Sequence, residues 1–284
     1  MFMQKMNTVK STLSLILFII ILYSDLSAVE IKEWAVALNL SGRQRMLSQK
    51  MAKEFLLIKL DIEKSENEQL LLKTMKMFER TLDQLIIGDK DLSIPAAPNN
   101  EILNQLRKVK MLWSDYKKAL EDNDIEKVAK LNLPVLENMH KAVGLYEEAS
   151  IKAGIKNSGT VINVAGRQRM LTQKMSKEIF LIALGIDKEA NLKALEDTQN
   201  LFNKSLYGLI EGNSEMNLPP TTNTRNLNQM RKVEKLWIPF KKHVEMVVAS
   251  TTTSRTQLKY IYEKNTTLLN EMNRAVKFYE VSAK

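Results

Sequence analysis

Apolar residues recur at spacings of three and four from about Ile31 to Asp61, with few breakers among them. This period predicts a long amphipathic helix. The pattern resumes from about Asn67 to Ile87 and stops at Gly88, a residue suited to a helix C-terminus. The stretch Asp89 to Asn100 carries Pro95 and Pro98 and reads as a loop, and a third helix is predicted over about Glu101 to Leu120. A fourth begins near Asp124, a good N-cap, and continues past Pro134 toward Ser150. Pro134 is expected to kink this helix or to set its true start. Four helices with short connections predict an up-down-up-down bundle.

The same pattern then occurs again. Asn39 to Leu120 aligns without gaps onto Asn163 to Val244 at a shift of 124, with 37 identities in 82 positions. The strongest block pairs Gly42–Glu54 with Gly166–Glu178, and a second pairs Leu103–Trp113 with Leu227–Trp237. At a shift of 133, Leu136, Met139, Ala142, Val143 and Tyr146 match Leu269, Met272, Ala275, Val276 and Tyr279. The second copy therefore carries nine extra residues around Ser250–Ser254, and Ser254 is expected to cap its last helix. The expected fold class is all-α, two tandem antiparallel four-helix bundles, over 29–154 and 155–284.

The N-terminus reads differently. Lys5 and Lys10 precede an apolar run from Leu13 to Tyr23, and Ala28 is a small residue before Val29. Residues 1–28 are expected to be a cleaved secretory signal peptide, which places the chain in the periplasm. The apolar run is shorter than the ~20 residues that span a bilayer, so an uncleaved inner-membrane anchor is the lesser reading. With 284 residues, 44% hydrophobic and 26% charged, the chain can bury a core. Its nine Gly and six Pro disfavour turn-rich β-architecture. No Cys and only His140 and His243 argue against a metal site, a nucleophilic triad and cofactor chemistry. No nucleophile–base pair or phosphate loop supports an enzyme. The net charge of +9 leaves room for an anionic partner, but acids and bases interleave and an exported protein seldom meets nucleic acid.

Candidate chemistry lies in the repeated block. On a helix, Ser41, Arg45, Ser48 and Ala52 share one face, as do Ala165, Arg169, Thr172 and Ser176. Small residues let another helix approach, and an arginine at such a contact requires a carboxylate, carbonyls or a bound anion. Gly42 and Gly166 lie one turn earlier and would admit a close approach. The plain alternative is structural: Arg45 pairs with Glu54 or an acid on another helix, and Arg43 and Lys50 are solvated. Met46, Leu47, Met51, Trp113 and Trp237 read as core, and the Arg107-Lys108 and Arg231-Lys232 pairs as solvated. Neither histidine repeats, since Asn273 aligns with His140 and Ala119 with His243, so both are expected at the surface.

The runs Asn39-Leu-Ser-Gly-Arg-Gln-Arg-Met-Leu-Ser-Gln-Lys50 and Asn163-Val-Ala-Gly-Arg-Gln-Arg-Met-Leu-Thr-Gln-Lys174 resemble the opening helix of PilJ-type, or NarX-like N-terminal, sensor domains. These domains are extracytoplasmic parts of chemoreceptors and nitrate/nitrite sensor kinases. The resemblance implies an antiparallel four-helix bundle and, in some members, nitrate held between the first helices of two protomers. It carries the binding arginine onto Arg45 and Arg169, the glycine onto Gly42 and Gly166, and a following basic residue onto Lys50 and Lys174. Arg43 and Arg167 complete the candidate anion-binding set. The ligand so implied is a small inorganic anion, nitrate or nitrite. No signalling region follows Lys284, so the expectation is a periplasmic binding module that serves a separate membrane receptor or sensor kinase. A structural or protein-interaction module without a ligand is the alternative. A turn at Gly154, Ser158 and Gly159 would set the two first helices parallel, with both arginines facing one another. A continuous helix there would stack the bundles end to end and leave the site to a homodimer.

Overall fold

The computed structural model describes residues 33–154 and 158–282. The predicted leader over 1–28 lies outside the described residues. Within them the chain is helical: α1 (33–59), α2 (Lys64–Ile87), α3 (Asn100–Glu121), α4 (Ile125–Lys152), α5 (Ser158–Ala183), α6 (Lys188–Glu211), α7 (Thr224–Ser250) and α8 (Arg255–Ser282). None of these helices is long and apolar enough to cross a membrane.

The breaks follow local chemistry. The φ of +81° at Gly88 ends α2, and the matching Gly212 at +91° ends α6. Asn99 accepts from the Ile102 amide at 2.9 Å and Asp124 from that of Lys127 at 3.0 Å, so both are true N-caps. Ser254 does the same for Gln257 at 3.2 Å. Pro134 neither starts nor ends α4; it lies inside that helix, as Pro239 lies inside α7. Its carbonyl accepts from Asn138 Nδ2 at 2.8 Å.

Helices α1–α4 pack as one antiparallel bundle and α5–α8 as a second. Phe78 meets Trp113 at 4.7 Å between ring centroids, and Phe202 meets Trp237 at 4.2 Å, so each bundle has the same aromatic centre. Met46, Leu47 and Met51 are buried, as the pattern predicts. Arg107, Lys108, Arg231 and Lys232 are exposed.

Between the bundles the chain turns. Gly154 takes a φ of +91° at the end of α4, and α5 starts anew at Ser158. A Cβ on Gly159 would stand 2.8 Å from Ser150 Oγ, so α5 leaves directly against the end of α4. The continuous helix is thus excluded, and α1 and α5 run side by side in the same direction. Two exchanged contacts lock this pairing. Lys53 of α1 donates to Asn265 Oδ1 of α8 at 3.0 Å, and Lys177 of α5 donates to Asn132 Oδ1 of α4 at 3.1 Å. Both asparagines also reach backbone carbonyls of the seam helices: Asn132 donates to Ser48 O at 2.9 Å and Asn265 to Thr172 O at 2.7 Å. The two bundles are related by an approximate twofold axis within a single chain.

Lys53 and Lys177 are 3% and 4% exposed. Burial lowers both amines from 10.5 to about 8, against the opposing pull of Glu54 and Glu178. Above about pH 8 the folded chain has released protons that the unfolded chain keeps until about pH 10.5, so stability should rise with pH across that window. Urea titrations from about pH 7.5 to about 9.5 should show this rise, and Lys53→Met should reduce it. A slope unchanged in Lys53→Met would refute the assignment.

Candidate anion-binding site

The repeated motif puts one arginine from each unit into the α1–α5 seam. A Cβ on Gly42 would lie 3.4 Å from the NH2 nitrogen of Arg45 and 3.7 Å from that of Arg169. At Gly166 the two distances are the same with the arginines exchanged. Both guanidinium groups therefore converge over both glycines. Arg45 is 0% exposed and Arg169 is 3% exposed. The small residues of the stripe permit this closeness, since Ser41, Ser48, Ala52, Ala165, Thr172 and Ser176 are all buried. Ser48 and Thr172 turn their hydroxyls back to the carbonyls of Arg45 and Arg169, at 2.8 Å each.

The partners of the arginines are neutral. Arg45 NH2 donates to Asn163 Oδ1 at 2.8 Å and to Asn163 O at 3.2 Å. Arg45 NH1 lies 3.1 Å from His140 Nδ1. A guanidinium only donates, so Nδ1 accepts and the imidazole carries its proton on Nε2. Arg169 NH2 donates to Asn39 O at 3.3 Å. Among the described residues no carboxylate approaches either arginine within 4.0 Å. The nearest acids stand one amide further out. Glu147 accepts from Asn163 Nδ2 at 2.5 Å, and Glu280 accepts from Asn39 Nδ2 at 3.0 Å.

Four guanidinium groups share this region. Burial lowers Arg45 to about 9, with the charges of Arg167 and Arg169 adding to the effect and Glu147 opposing it. Burial likewise lowers Arg169 to about 9, with Arg43 adding and Glu280 opposing. Each outer arginine thus sits near the inner arginine of the other unit. The Nε groups of all four are buried without a partner among the described residues. Desolvation of its ring against the seam, with the charges of Arg45 and Arg167, pushes His140 down to about 4, so it is neutral near pH 7 and does not add to the charge. Guanidiniums stay protonated in proteins, so the seam holds unbalanced positive charge and unfilled donors. A planar oxyanion accepts the forked donors of two such groups.

The other sequence candidates fall elsewhere. Lys50 is tied to Glu54 and donates to Thr74 at 3.0 Å. Lys174 is tied to Glu178 and donates to Thr198 at 2.7 Å. Both lysines face the second helix of their own bundle, and the structure does not bring them to the arginine pair. Arg43 donates to Thr81 at 3.3 Å on the same flank. His140 is exposed, as expected, yet its ring also reaches Arg45. His243 departs from the surface expectation: it is half-buried and stacked on Tyr260 at 3.8 Å. Sequence reasoning also missed Asn39, Asn163, Glu147 and Glu280, although each pair repeats in the two units. No group of three His, Asp or Glu among the described residues could hold a metal.

The family model described as "Type IV pili methyl-accepting chemotaxis transducer N-term" matches residues 30–133 and 152–261. The chain belongs to the PilJ family. It carries two copies of the domain, each opening with the helix that supplies a seam arginine. Among relatives, the "Methyl-accepting chemotaxis protein McpN" of Pseudomonas aeruginosa is 32% identical over 142 residues. That match covers 50% of this chain and 25% of the relative, so half of this PilJ protein corresponds to about a quarter of that relative's length. The PilJ family is one of sensor modules in signal transduction.

With no anion present, Arg169→Met should raise the unfolding free energy by about 1–2 kcal/mol, because it removes a buried charge facing a like charge and orphans only the Asn39 carbonyl. Urea unfolding in an anion-poor zwitterionic buffer measures this. A loss of stability would identify Arg169 as a structural tie instead.

Proposed function

We propose that this PilJ protein is a periplasmic sensing module, not an enzyme, whose seam receives a small planar oxyanion, nitrate or nitrite. The leader over residues 1–28 exports it, and a membrane receptor or sensor kinase reads its state. The observation that carries the reading is the convergence of Arg45 and Arg169 over Gly42 and Gly166 with no carboxylate in contact. An anion between them would remove the repulsion of two guanidiniums, a term of ~4 kcal/mol for unit charges 4 Å apart at an effective dielectric of 20. Arg43 and Arg167 would add to the attracting field from the flanks, whereas Lys50 and Lys174 are engaged by glutamates and take no part. Asn163 orients Arg45 through its side-chain amide, which Glu147 holds in place, whereas Arg169 meets the backbone carbonyl of Asn39, whose side chain donates to Glu280.

The signal follows from where the anion would sit. It draws α1 and α5 together, and these helices are the innermost element of each bundle. A change in their spacing passes to α4 and α8 through the exchanged Lys–Asn contacts. Because both arginines belong to one chain, the site needs no second protomer.

Calorimetric titration of the purified protein with nitrate, nitrite and a chloride control tests the proposal. We expect saturable binding of one nitrate or nitrite per chain. Arg45→Ala or Arg169→Ala should weaken it at least about 30-fold, on the scale of losing one partner of a buried charged pair. One ion per two chains would move the site to a homodimer. Absence of saturable binding by both oxyanions would overturn the assignment in favour of a ligand-free structural or interaction module.

A further inference from the structure

A cavity of about 330 Å3 opens where α4 of the first bundle meets α5 and α6 of the second. Leu136 and Met170 form an apolar floor and Leu201 an exposed rim. The charged groups around it have both signs: Arg167 from α5, Glu137 from α4 and Asp197 from α6. Arg167 is half-buried, its Nε is buried without a partner, and among the described residues it joins no ion pair. Its counterpart Arg43 instead donates to Thr81. Lys174, also at the edge, is engaged by Glu178 and Thr198, which leaves Arg167 as the group able to receive an anion there.

Concave apolar pockets of roughly 300–1,000 Å3 with a few convergent polar groups are the usual form of small-molecule sites. An inorganic oxyanion would leave this floor uncovered. We infer that the groove is a second binding site, for a small carboxylate with an apolar body, which pairs its carboxylate with Arg167 and lays its body on Leu136, Met170 and Leu201. Glu137 and Asp197 take part in no ion pair among the described residues and stand where an amino group could meet them. A simple monocarboxylate and an apolar α-amino acid share the recognised chemistry. The related positions of the other repeat hold Asn270, Lys73 and Met77 in place of Glu137, Asp197 and Leu201, so the charge pattern occurs once per chain. His140 lines the same groove and contacts Arg45. Occupancy of the groove therefore adjoins the seam through one side chain, and any coupling between the two sites must be reciprocal.

The test uses the purified protein without nitrate, so it does not depend on the seam proposal. The probes are 4-methylpentanoate, leucine and 4-methylpentanamide, which share an apolar body and differ in charge. At least one carboxylate should saturate at one per chain by calorimetry, with the amide at least about tenfold weaker. Arg167→Gln should weaken binding at least about tenfold. Leu201→Glu, at an exposed rim position that does not threaten the fold, should do likewise, whereas Leu201→Lys should not. Tighter binding of leucine than of 4-methylpentanoate would assign the acids to the amino group, and the reverse order would assign a monocarboxylate. The inference is overturned if neither carboxylate saturates by about 10 mM, if the amide binds equally, or if Arg167→Gln binds as tightly as the wild type.

Discussion

Two guanidinium groups that face each other out of contact with water set the terms for this molecule. Burying one unpaired charge opposes folding strongly, and burying two of the same sign opposes it further. The fold tolerates them because every surrounding choice reduces the penalty without cancelling it. Glycine one turn earlier gives the groups room, and small residues bring α1 and α5 together around them. The Asn163 amide and the backbone carbonyls of Asn39 and Asn163 take their donors, and Glu147 and Glu280 bond the asparagine side chains, not the arginines. Had Glu147 or Glu280 touched an arginine directly, that charge would be neutralised within the protein.

The duplication converts what would be an interface between two chains into an interface within one. The turn at Gly154 places the two motifs at one height, and the exchanged Lys53–Asn265 and Lys177–Asn132 contacts fasten each seam helix to the opposite bundle. An interface built this way forms at any protein concentration, because its halves are held at a high effective concentration by the chain itself. It is also released from strict symmetry. His140 stands beside Arg45, whereas Asn273 occupies the related position, and Asp197 corresponds to Lys73. The flank between α4 and α5 could therefore acquire chemistry that its twin lacks.

Much of this was legible in the chain itself. The helical period, the glycine and aspartate caps and the ungapped repeat specify eight helices in two bundles, because these are local preferences or comparisons of like with like. The buried stripe of Arg45 and its small neighbours followed from helical spacing alone. The contact of His140 with Arg45 was not legible there, because Asn273 stands at the related position and the repeat carries no sign of it. Lys50 and Lys174 misled, since they repeat with the motif but face α2 and α6.

The tertiary structure decided what depends on residues distant in sequence. Whether Arg45 meets a carboxylate or an amide rests on Asn163, which lies 118 residues away, and on Glu147 behind it. The choice between a turn and a continuous helix after α4 is not an isolated preference of Gly154, because glycine is tolerated in helices at a modest penalty. It is settled by contacts that form only when the bundles lie side by side, Arg45 with Asn163 and Arg169 with Asn39. Periodicity determines which face of a helix is apolar, but only packing determines which other face covers it.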